Sequence, residues 1–104
     1  MITPKRLFDF AYYQLEQYPL ERMMTSKVGS SWVSISTRDF VEQMKLVSRG
    51  LISLGLEPGE RVALITHASR HEWDILDNAV MQAGAVDVPI YPTMMPDDCE
   101  YILN

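Results

Sequence analysis

A chain of 104 residues is the length of one modest domain and can bury a core without disulfide or metal staples. Hydrophobic residues at 47% and charged residues at 22% exclude a disordered composition. A net charge of −5, with nine basic residues scattered rather than clustered, argues against nucleic acid, whose binding rests on neutralised phosphates.

Cys99 is the single cysteine, so no internal disulfide can form, which suits a reducing compartment. The N-terminal stretch MITPKRLFDFAYYQLEQYP is broken by polar residues too often for a signal-peptide core, and no apolar run reaches membrane-spanning length. The expected location is the cytoplasm, with a peripheral place at a membrane left open.

The first element in chain order is a helix within residues 1–20. Thr3 is placed to cap it and Pro4 to occupy its first position, where the missing N–H costs nothing. Leu7, Phe8, Ala11 and Leu15 follow at helical spacing, and Tyr18-Pro19 ends the pattern. Residues 21–36 read as a peripheral hairpin, with MMTSKV and SWVSIS folded back on each other around Gly29.

Ser36 stands three residues before Asp39, the spacing of a helix start, and opens a helix over 37–56. Phe40, Met44, Val47, Leu51 and Leu54 mark its apolar face. Gly50 inside that helix suggests a close approach of another backbone. Gly55 can take the left-handed cap, with Leu56 folding back on the last turn.

Residues 61–91 read as a strand-helix-strand unit with parallel pairing. Val62 to Ile65 is an unbroken apolar run, which predicts a strand covered on both faces. Ser69 and Glu72 repeat the capping spacing, Trp73, Leu76, Val80 and Ala83 line the next helix, and Gly84 stops it. Val86, Val88 and Ile90 form the second strand, with Pro89 marking it as short or irregular. Residues 96–104 are the start of a helix that looks truncated, with Asp97 and Asp98 at its positive end.

The residues alone identify no active site. The glycines at 29, 50, 55, 59 and 84 lie singly, without the spacing of a phosphate-cradling loop. His67 and His71 are four apart, but the capping Ser69 lies between them, so they do not share a helical face as zinc ligands would. Cys99 has no nearby base, and its neighbours Asp97, Asp98 and Glu100 disfavour a thiolate. Those three carboxylates fit a solvated helix start better than an acid/base cluster. Trp32 and Trp73 read as hairpin or core anchors. Because ligands of open α/β sheets sit outside the carboxyl ends of the strands, Thr66-His67-Ala68-Ser69 and Tyr91-Pro92-Thr93 are the two loops best placed to touch one, beside the plainer reading that Tyr91 and Thr93 merely anchor a turn.

The order of the motifs adds a resemblance. Trp32 to Ile35, Leu54-Gly55-Leu56, Pro58-Gly59-Glu60-Arg61-Val62, Ser69 to Trp73 and Ala83 to Thr93 together resemble the start of the adenylate-forming (AMP-binding) acyl-CoA synthetases. The likeness is closest to their long-chain fatty acid–CoA ligase branch. It implies an α/β fold in which this chain is the N-terminal portion of the large domain. It also implies a two-step reaction, in which ATP and a fatty acid give an acyl-adenylate and diphosphate, and coenzyme A then takes the acyl group. ATP, magnesium and coenzyme A are thus expected of the full-length enzyme, with none held tightly by this fragment.

The family's Ser/Thr/Gly-rich phosphate loop, Thr-Glu motif, ribose-binding Asp, hinge and C-terminal lysine are expected beyond Asn104. No catalytic, cofactor-binding or metal residue is therefore assigned here, and the chain is expected to be inactive alone. Its expected partners are a fatty acid, for the full-length enzyme, and the remainder of its own chain. The open sheet should make the fragment self-associate. Two other readings stand beside this one: a stand-alone interaction or dimerisation module, and an adenylating enzyme for an amino or aryl acid.

Overall fold

The computed structural model describes residues 3–65 and 71–104. Its elements are α1 (Asp9–Gln17), β1 (Met24–Val28), β2 (Ser31–Ile35), α2 (Thr37–Ser53), β3 (Arg61–Ile65), α3 (His71–Gln82), β4 (Val86–Ile90) and α4 (Pro96–Leu103). The strands form two separate pairs, β1 with β2 antiparallel and β3 with β4 parallel. This is the α/β class expected, with a peripheral hairpin beside a parallel strand-helix-strand unit. The capping reading of Ser69 lies outside the described residues.

The first helix begins at Asp9, not at Pro4, and Thr3 does not cap it. The Asp9 carboxylate supplies the reason. It accepts the backbone N–H groups of Lys5 at 3.2 Å and Arg6 at 3.0 Å, and also the Arg6 guanidinium. The turn before the helix is thereby folded onto the helix start, and the side-chain bond from Arg6 is the main cause holding the Asp9 carboxyl below its ordinary range. Phe8 and Ala11 point into the core, whereas Leu7 of the expected stripe is exposed.

In the hairpin, Gly29 takes a φ of +63° at the first turn position, as a tight two-residue connection requires. Ser36 then caps α2 by accepting the Asp39 N–H at 3.1 Å. One residue on, the buried Thr37 ties the α1–β1 connection to the helix start. Its N–H donates to the Leu20 carbonyl and its Oγ1 accepts the Leu20 N–H.

Phe40, Val41 and Met44 of α2 are buried with Phe8, Ala11, Ile35, Ile75 and Ala79 in the larger of two apolar clusters. The expected face is corrected at its far end, where Leu54 is 87% exposed. The C-terminal cap accounts for this. Leu56 N–H donates to the Leu51 carbonyl and Gly55 N–H to the Ile52 carbonyl, with Gly55 at φ +103°. This cap returns Leu56 to the core beside Leu51 and leaves Leu54 outside. The Gly50 expectation is also overturned: a Cβ there would meet nothing within 4 Å. The small residue that α2 buries is Ser48.

α3 is the shared wall of the molecule. Ile75 and Ala79 enter the cluster with α2, while Val80 and the partly buried Leu76 pack with Leu64 and Ala85 on the sheet side. It ends with the same cap as α2, Ala85 N–H to the Val80 carbonyl and Gly84 N–H to the Met81 carbonyl. The strand covered on both faces does not occur. Leu64 is buried, but Ile65 is 56% exposed and Val86 of β4 is 53% exposed, because no second layer lies against that side among the described residues. α4 buries no residue.

Candidate functional site at the carboxyl ends of the parallel strands

The parallel register pairs Ile65 with Ile90, so both strands end side by side and their following loops leave at one edge. That edge is where open α/β sheets receive ligands. Of the two loops singled out there, Thr66 to Ser69 lies outside the described residues. In the other, Met94 N–H closes a turn onto the Tyr91 carbonyl at 3.1 Å, and Tyr91 is 73% exposed. Thr93 is exposed as well. The phenol and hydroxyl therefore face solvent at the strand exit and are not consumed by core contacts.

His71 opens α3 directly after that edge and is held by the hairpin. Ser26 Oγ accepts the His71 backbone N–H at 3.3 Å and lies 3.2 Å from the ring Nδ1. Ser26 is buried, so a β1 side chain caps the first turn of a helix far along the chain. On the other side of the ring, Nε2 is 3.7 Å from Glu72 Oε1. The His67–His71 metal reading has one partner outside the described residues, and Nδ1 of the other faces a hydroxyl. Among the described residues no group of three or more His, Cys, Asp or Glu could hold a metal ion.

The most perturbed titratable group among the described residues is elsewhere. Burial, then the hydrogen bond and charge of Asp87, then the charge of Asp74, push the Asp77 carboxyl up to about 7. Asp74 is also raised, by burial, with His71 opposing. Asp87 lies across from Val62, three residues before the end of β4, which places the pair roughly 10 Å below the strand exits. It belongs to the helix–sheet seam and not to the ligand edge. The overlooked signal is Asp87, a charge inside the apolar strand VDVPI.

A groove of about 180 Å³ between α1, β1 and α3, walled by Leu7, Phe10, Met24 and Asp74, is smaller than typical ligand pockets. Asp97, Asp98 and Glu100 are exposed on α4, as a solvated helix start would be. Cys99 Sγ makes only a long contact, 4.0 Å, to the Met94 carbonyl. Trp32 is an exposed hairpin residue with Lys27 Nζ 5.7 Å from its ring, so it anchors no core. Among the described residues no helix is long and apolar enough to cross a membrane.

Residues 12–104 match the family model described as AMP-binding enzyme. The long-chain-fatty-acid–CoA ligase FadD15 of Mycobacterium bovis is 39% identical over 77 residues, which are 74% of this chain and 13% of that protein. Among solved structures, a fatty acid AMP ligase from Legionella pneumophila superposes with a TM-score of 0.80 at 22% identity, over 93% of this chain and 17% of that one. A fatty acyl-adenylate ligase from the same organism, in complex with acyl adenylate and pyrophosphate, superposes with a TM-score of 0.71 at 22% identity, over 83% of this chain and 15% of that one. The chain thus spans a small part of the length of the relatives it matches. From the helix-backed parallel pair, the hairpin beside it and a family match that runs through both, the chain belongs to the AMP-binding enzyme family.

Proposed function

We propose that this chain is an N-terminal scaffold region of a long-chain fatty acid–CoA ligase. The observation that carries the reading is the 39% identity to the Mycobacterium bovis ligase over three quarters of the chain. In this reading the parent couples ATP and a long-chain fatty acid to an acyl-adenylate, then passes the acyl group to coenzyme A. The chemistry has a simple logic: a carboxylate is a poor acyl donor until one oxygen becomes part of a good leaving group. Magnesium, bound elsewhere in such a parent, would offset phosphate charge.

The role left to the chain is positional. The cap of α3 and the Ser26–His71 bond fix where the two strand exits emerge, and Tyr91-Pro92-Thr93 borders the ligand edge. A chimera tests this reading. Residues 12–104 should replace the matching region of the mycobacterial ligase and leave formation of a long-chain acyl-CoA from ATP, fatty acid and coenzyme A within about tenfold, roughly 1.4 kcal/mol, of the parent. A chimera that folds and binds ATP but forms no acyl-CoA with any fatty acid would contradict it.

A further inference from the structure

We draw no further inference here: the strongest candidate, the side-chain cluster of Ser26 on β1 with His71 and Glu72 at the start of α3, belongs to the site already described, and the two bonds of the buried Ser26 hydroxyl oxygen are accounted for by its role as the cap of that helix.

Discussion

Met44 of α2 is completely buried, and Phe40 and Val41 beside it are at most 2% exposed, whereas Ile65 of β3 and Val86 of β4, no less apolar, are more than half exposed. The difference does not lie in the residues. α2 faces three other elements, α1, the hairpin and α3, and its apolar side is closed by Phe8, Ile35 and Ile75. The β3–β4 sheet has α3 on one face and nothing described on the other. An apolar pattern states what a segment can bury, but a second layer decides what it does bury.

The largest effect should come from opening the closed side. Met44→Ala removes a completely buried side chain from the cluster that joins both helices and the hairpin. It should cost about 2–5 kcal/mol, seen as a large drop in the urea midpoint with an unchanged slope. A loss below that range would mean the α2 seam collapses around the gap and is not tightly packed.

The next effect belongs to the seam between α3 and the sheet and depends on pH. Asp77 ordinarily ionises near 3.8 but holds its proton up to about 7 in the fold. The folded chain thus binds this proton more tightly than the unfolded chain. Its contribution is fully present below pH 4 and is lost as pH rises to about 7. Asp77→Asn should match the parent at pH 4 and exceed it at pH 8 by on the order of 1 kcal/mol, after solvent screening is allowed for. Equal stability at both pH values would remove the carboxyl pair from the account.

Smaller effects follow where the structure departs from the helical pattern. Gly50 sits in an exposed helix turn with open space around it, so Gly50→Ala should stabilise by about 0.5–1 kcal/mol. A destabilisation would restore the close backbone approach expected from the sequence. Leu54→Ser should lie within about 0.5 kcal/mol of the parent in thermal or urea unfolding, since the side chain is outside the core. A cost comparable with Met44→Ala would return Leu54 to the apolar face.

What was legible in the sequence is what local chemistry decides. Ser36 as a cap, Gly55 with Leu56 as a helix end and Gly84 as a helix stop are set by backbone groups a few residues apart. What was not legible depends on distant partners. The Asp9 carboxylate overrode the Thr3-Pro4 start signal by reaching back to Lys5 and Arg6. Ser26 meets His71 across 45 positions, and Asp77 meets Asp87 only once β4 is laid under α3. Of the candidate site, the exit at Tyr91 was legible because strand ends are fixed by the alternation of Val86, Val88 and Ile90. Its surroundings were not, since they are assembled from separate elements.

The central claim is that this region supplies a scaffold and leaves the adenylation chemistry to other parts of a ligase. The most direct test is exchange of labelled pyrophosphate into ATP by the folded 104-residue chain in the presence of magnesium and a long-chain fatty acid. No exchange above the protein-free reaction is expected. Measurable exchange that requires the fatty acid would contradict it.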